Sequence, residues 1–338
     1  MKVVYSERHR AHDPKFVLVR GVVKQTNEQP ERADRLLSGL RSGNHELIEP
    51  TEFGDGPRAR VHSQDYLRFM AEAWEAWNSL GDAGAEMVAN VHPVRNQSTY
   101  PEHIVGRLGW HSYDTSCPIS AGTFEAACAA TDVAATASQL LLDGARSAYG
   151  LCRPPGHHAF RDMAGGFCFF NNSAVAAAHL LQRYERVAIL DVDVHHGNGT
   201  QAIFYESADV FTVSIHADPA GFYPFFTGYA HEKGAGPGSG ANLNLPLPFG
   251  VEDEGYLRTL DVAKKAILEF SPGALVVALG LDASKEDPYA ALSVSTDGFR
   301  RIGDCIASLG YPTVFIQEGG YLSPVLGKNL AAVLAGFE

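Results

Sequence analysis

The stretch DVDVHHGNG, residues 191–199, places two carboxylates and two imidazoles within six positions. Alternate residues of an extended segment face the same side. Asp193 and His195 can therefore offer an oxygen and a nitrogen to one divalent ion. Asp282, which follows a separate apolar run, supplies a third donor from another strand end. Two carboxylates and one imidazole leave a coordination position open for water and substrate. Zn²⁺ suits this donor set best, while Fe²⁺, Co²⁺ and Mn²⁺ accept the same ligand types. In RPPGHH (153–158) the imidazoles of His157 and His158 are adjacent. They can share one pocket only if the backbone turns, and Pro154-Pro155-Gly156 supplies a turn. Beside a metal, such a pair suits proton transfer and charge stabilisation. Each imidazole needs an orienting partner on its other nitrogen, for which Asp191 and Asn198 are available. Tyr321 follows Glu318-Gly319-Gly320, where two glycines allow close backbone approach and a phenol can meet an oxyanion. Read singly, each feature has a plainer use: a solvated loop, a packed histidine pair, a packing tyrosine.

The elements that must position these groups follow a βαβ rhythm. Apolar runs at Val187–Leu190, Val210–Ile215, Ala274–Leu279 and Thr313–Ile316 read as strands buried on both faces. Lys2–Tyr5 and Ser147–Cys152 read as further strands. Helical spacing marks Glu31–Leu40, Gln64–Ser79, Gly122–Leu142, Ser173–Gln182, Tyr256–Phe270 and Thr296–Leu309. The expected fold is α/β, a central parallel sheet with helices on both faces. In such a sheet ligands bind beyond the carboxyl ends of the strands. The polar groups after Cys152, Leu190, Leu279 and Ile316 should therefore converge. Residues 80–120 and 217–255 lack the rhythm, and loops of that length are usually functional or interfacial.

Composition is that of a globular protein, with 45% hydrophobic and 20% charged residues among 338. A formal net charge of −12, from 39 acidic and 27 basic residues, argues against nucleic acid and anionic membranes as partners. It is compatible with a cationic small substrate. No apolar run reaches the ~18 residues of a membrane span, and the start carries no signal-peptide core. The five cysteines are scattered and form no CxxC pair, which points to reduced thiols in the cytoplasm and argues against a cysteine-built zinc site.

Five blocks, RPPGHHA (153–159), GGFCFFNN (165–172), DVDVHHGNGT (191–200), GLDASKEDP (280–288) and EGGY (318–321), together resemble the histone deacetylase superfamily of zinc amidohydrolases in order and spacing. Pro30–Arg35 and VHSQDYL (61–67) fit the same pattern, so the resemblance covers about residues 1–337. RPPGHH, Asn198, EGGY and the long segment before SAGTFEAA (120–127) resemble the bacterial acetylpolyamine amidohydrolase branch. The resemblance implies an arginase/deacetylase-like fold in one catalytic domain over 1–338, with residues 80–120 as an insert shaping a narrow gorge across a homodimer. It implies Asp193, His195 and Asp282 as zinc ligands, His158 as general base and acid, and His157 as its electrostatic partner. Tyr321 would polarise the amide carbonyl, and Asp191 and Asn198 would orient the histidines. A structural K⁺ would bind Asp191, the backbone of Asp193 and His195, and Ser214 with Ile215. Phe167 and Tyr223, next to Gly166, would flank the acylated chain. His196 receives no catalytic role.

The expected activity is hydrolysis of a small N-acetylated amine such as an acetylpolyamine. Departures from the branch pattern bear on the substrate. Val17, Val105 and Ser116 stand where such relatives carry acids, with Asp114 nearby, and Tyr223 replaces the usual phenylalanine. A buried ammonium needs a paired charge. The alternatives are the same chemistry on a neutral or aromatic amide, or on protein acetyl-lysine.

Overall fold

The computed structural model describes residues 1–41, 43–94 and 98–338. The chain begins with strand β1 (Lys2–Val4), a short hairpin of β2 (Val17–Val19) and β3 (Val22–Lys24), helix α1 (Glu31–Leu40) and strand β4 (Glu46–Ile48). Helices α2 (Gly56–Ala59), α3 (Gln64–Asn78), α4 (Ile104–Trp110) and α5 (Thr123–Leu142) follow. The rest of the chain alternates β5 (Ser147–Gly150), α6 (Asn172–Leu180), β6 (Val187–Asp191), α7 (Asn198–Phe204), β7 (Val210–Ala217), β8 (Asn242–Leu247), α8 (Asp253–Phe270), β9 (Ala274–Leu279), α9 (Thr296–Ala307), β10 (Thr313–Gln317) and α10 (Leu326–Phe337).

Among the described residues, eight strands form one sheet in the order β4-β1-β5-β10-β9-β6-β7-β8, and every pairing in it is parallel. The strands are apolar on both faces because helices cover both. One face, carrying Leu190, Val213, Val277 and Phe315, packs against α1, α8, α9 and α10. The other, carrying Ile189, Val276, Val314 and Ile316, packs against α5 and α6. Alanine dominates α5 and α6, which lets these helices lie close to the sheet. A third cluster, with Tyr66, Phe69, Met87, Ile119 and Phe169, joins α3 and the 80–120 segment to α5 and the loop before α6. Residues 95–97 of that segment lie outside the described residues.

Several elements differ from expectation. The segment 217–255 contains β8, an edge strand that pairs with β7, and 80–120 contains α4. Strand β4, the β2–β3 hairpin and α10 had no counterpart in the expected pattern. No helix among the described residues is long and apolar enough to cross a membrane.

Candidate active site

Four neighbouring strands, β5, β10, β9 and β6, deliver the candidate groups to one edge of the sheet. Because all four are parallel, their carboxyl ends coincide. The chain bends through Asp193–His195 just past β6, with the apolar Val192 and Val194 packed into the core between the buried Asp193 and His195. Asp282 arrives from the loop after β9, the strand that pairs with β6. Asp193, His195 and Asp282 each offer a donor atom within 4.8 Å of the others, and all three are buried.

Backbone groups aim these donors. Asp193 Oδ1 accepts from the His195 amide at 2.9 Å, and Asp193 Oδ2 from the Gly319 amide at 2.8 Å. Asp282 Oδ1 accepts from the Val194 amide at 3.0 Å. His195 Nδ1 lies 3.1 Å from Asp193 Oδ1 and 3.2 Å from Asp282 Oδ2. One ring nitrogen cannot serve both carboxylates, and Asp282 Oδ2 is a buried oxygen with no hydrogen bond among the described residues. Such an orphan is costly unless something positive meets it. A β-carbon on Gly319 would come within 2.2 Å of that same oxygen, so only glycine leaves the cradle open. Burial alone would lower His195, but the flanking Asp193 and Asp282 push it up to about 9. The donor set, the orphaned oxygen and this appetite for positive charge all fit a divalent cation.

The two adjacent histidines do share the pocket. Their ring centroids are 4.0 Å apart, and the His158 ring stands 5.8 Å from that of His195. The Glu318 carboxylate fixes the turn that allows this. Its Oε2 accepts from the amides of Gly156 and His157 at 2.6 and 3.0 Å, while its Oε1 accepts from Ser173 Oγ at 2.6 Å. Burial pushes Glu318 up to about 7. His157 Nδ1 lies 2.9 Å from Asp191 Oδ2, and His158 Nδ1 lies 2.7 Å from Asn198 Oδ1. Burial would depress His157, yet the charges of Asp193 and Asp191 overcome it and hold it near 10. His158 has no such carboxylate; burial, then the positive His157 and His195, take it well below the usual range. Two neighbouring imidazoles are thus split, one favouring the cation and one the free base, a division expected of acid–base sites.

Tyr321 closes the opposite side. Its amide donates to Asp287 Oδ2 at 2.8 Å, and its ring meets Phe167 edge-on at 6.0 Å. Tyr223 stands edge-on to His158 at 4.9 Å. A β-carbon on Gly166 would lie 2.4 Å from His158 Cδ2, so this glycine is what admits the imidazole. Asp191 and Ser214 line a small polar cavity with Thr212 and Asn242, whereas the Ile215 side chain belongs to the core. His196 sits in that cavity wall with Nε2 3.1 Å from Gln201 Oε1. Val17 is buried and Val105 half-buried.

Three site residues escaped the reading of the sequence. Phe222 stacks on His195 at 4.8 Å, and Tyr289 meets His195 and Tyr321 edge-on at 5.4 and 4.9 Å. Arg32 is buried beneath the Tyr321 loop. The proximity of Phe222 to Tyr223 was the available signal for the first; nothing in the pattern marks Tyr289.

The histone deacetylase domain family matches residues 26–337. The chain is similar to acetylpolyamine amidohydrolase 1 of Pseudomonas aeruginosa, at 46% identity over 100% of this chain and 99% of that one. It is similar to the acetylpolyamine amidohydrolase of Mycoplana ramosa at 40% identity over 99% of each chain. The fold superposes on the crystal structure of an acetylpolyamine aminohydrolase from Burkholderia pseudomallei with a TM-score of 0.97 and 41% identity, covering 100% of this chain and 98% of that one.

Proposed function

The chain belongs to the histone deacetylase family, and on that premise we propose that it is a zinc-dependent amidohydrolase that removes the acetyl group from a small N-acetylated amine such as an acetylpolyamine. The observation that carries this reading is the His157–His158 pair set beside the buried Asp193–His195–Asp282 cluster, with the His158 ring edge-on to His195. When bound there, the divalent ion supplies Lewis acidity to the amide carbonyl and acidifies the attacking water. His158 takes the water's proton at Nε2 and returns it to the departing amine. His157, held as a cation by its pairing with Asp191, offsets the negative charge that builds on oxygen as the water attacks. The Tyr321 hydroxyl donates to the carbonyl oxygen as that oxygen gains charge. Phe167 and Tyr223 flank the acyl chain beside Gly166 and exclude water from it.

Fe²⁺ or Co²⁺ would occupy the same donors. The polar cavity between Asp191 and Ser214 supports a structural K⁺ held there, with the Ile215 backbone beside it. One sheet spanning Lys2 to Gln317 supports a single catalytic domain over 1–338. Exposed Val91, Val94 and Tyr100 on the insert support a homodimer built across it. Five free cysteines suit a reducing, cytoplasmic setting.

Val17 and Val105, where an acid would grip a second ammonium, favour a neutral amide as the second reading. Parallel assays on N-acetylputrescine, N-acetylcadaverine and uncharged acetanilides, with metal content measured on the same preparation, separate the two. Preference for the charged substrates supports the first reading; comparable rates on neutral amides overturn it in favour of the second.

A further inference from the structure

Resting on the deacetylase reading above, we propose that Asp114, Tyr223 and Tyr113 are positioning residues that lock His158 in its Nδ1-protonated tautomer through a one-way chain of hydrogen bonds ending at Asn198. The argument is a count of protons. The Asp114 carboxylate can only accept, and its Oδ2 lies 2.7 Å from the Tyr223 hydroxyl. Tyr223 must therefore donate to Asp114. The Tyr223 and Tyr113 hydroxyls are also 2.7 Å apart, a contact that needs one proton between them. Tyr223 has already committed its own, so Tyr113 donates to Tyr223.

Tyr113 now has no proton left to offer Asn198, whose amide nitrogen lies 3.4 Å from the Tyr113 oxygen. Only the Asn198 NH₂ can face Tyr113. The Asn198 carbonyl oxygen is thereby turned to His158 Nδ1, 2.7 Å away. An acceptor there demands a proton on Nδ1, which leaves Nε2 with its lone pair free for the attacking water. The 3.3 Å approach of the Tyr113 hydroxyl to the His158 carbonyl is the longer, competing use of the same proton.

Two further observations support the chain. Burial, followed for each phenol by the charge of Asp114, raises both tyrosines well above their ordinary value, so they keep the protons being counted. Asp114 is itself fixed by the amides of Ser116 at 2.8 Å and Gly166 at 3.0 Å. The glycine pair makes the arrangement possible: a β-carbon on Gly165 would sit 2.1 Å from Tyr113 Cζ, and one on Gly166 2.9 Å from the Tyr223 hydroxyl. The hydroxyl of Tyr223, the departure from the usual phenylalanine, is the link that reaches Asp114.

The test uses the metal-loaded enzyme and Tyr113→Phe, which keeps the ring and its packing. Long-range ¹⁵N–¹H spectra of histidine-labelled protein, with His158 identified by its loss in His158→Ala, read the tautomer directly. Wild type should show the proton on Nδ1, and Tyr113→Phe should show a mixed or reversed tautomer. Turnover of N-acetylputrescine should fall roughly ten- to hundredfold in kcat with KM little changed, the range found when an orienting partner is lost. In an Asn198→Asp background the acceptor no longer depends on amide orientation, so the same Tyr113→Phe change should cost less than about threefold in kcat. An unchanged tautomer in Tyr113→Phe, or equal losses in both backgrounds, would overturn the proposal. A wild type with the expected tautomer but no turnover of any acetylated amine would instead sink the deacetylase reading and leave the chain standing.

Discussion

The Arg32 guanidinium carbon lies 4.7 Å from the centre of the Tyr321 ring, beneath the face of the phenol. The same group donates through Nε to the Gly320 carbonyl at 2.6 Å and through Nη2 to the Glu318 carbonyl at 2.7 Å. Its Nη1 donates to Glu28 Oε1 at 2.7 Å, and Glu28 Oε2 receives Arg153, which opens the histidine loop, at 2.9 Å. One buried carboxylate thus ties the loop bearing Tyr321 to the loop bearing His157 and His158. Arg32→Met would leave Glu28 with one arginine and would remove the guanidinium donor from the Gly320 and Glu318 carbonyls. Breaking a buried pair from one side costs about 3–5 kcal/mol. Calorimetry should show a lowered Tm with unchanged metal content; an unshifted Tm would refute this role.

His158→Ala removes the group that accepts and returns the proton. Single-turnover assays should find kcat reduced by roughly 10²–10⁴, while metal content stays at the wild-type level. Turnover within a few-fold of wild type would exclude His158 as the base.

Gly319→Ala puts a methyl group where Asp282 Oδ2 and Asp193 Oδ2 approach to 2.2 and 2.5 Å. The carboxylates must move, so competition with a chelator should reveal metal affinity weakened by roughly ten- to hundredfold or more. Removing the metal from wild type should abolish turnover, and adding Zn²⁺ should restore it. Equal chelator midpoints for variant and wild type would argue against the cradle.

His62 is one of several buried histidines, with His9, His12 and His216, that make stability depend on pH. Its Nε2 accepts from the Asn171 amide at 3.0 Å, and its Nδ1 lies 3.3 Å from the Arg161 carbonyl. Burial holds its pKa at about 4, against about 6.5 in an unfolded chain. The unfolded state therefore binds the proton first. Stability from this residue is complete above pH ~6.5 and is lost as pH falls toward 4, by about 1.4 kcal/mol per unit. His62→Gln has no such proton to bind, so its Tm deficit relative to wild type should narrow between pH 7 and pH 5. A deficit constant across that range would contradict the linkage.

The metal cluster and histidine pair were legible because chemistry-bearing residues interrupt apolar runs that have no other reason to end in charge. Asp282 could be assigned to the cluster because every long apolar run implied a parallel strand, and parallel strands end together. The sheet's edges were not legible. Strand β8 reads NLNLPL inside a stretch rich in Gly, Pro and aromatics, three of its six residues are only partly buried, and among the described residues no strand pairs with its outer side. Strand β4 has three residues, none of them buried. Helix α10 is different, since LGKNLAAVLAGF carries helical spacing that was open to reading. Tyr289 left no trace because its role depends on how the loop after β9 folds back over His195, a contact set by Asp287 accepting from the Tyr289 and Tyr321 amides at 2.9 and 2.8 Å.

The pairing of β6 with β9 has a consequence for the life of the chain on the ribosome. Asp193 and His195 are synthesised before β7, β8 and α8, and Asp282 follows only after them. A nascent chain that has not yet extended β9 holds two-thirds of a binding site and cannot close it. On the proposed metal site, capture of the ion would report that the centre of the sheet has zipped, and an ion loaded during synthesis would act as a clasp, selecting chains that have completed this long-range pairing over those stalled before it.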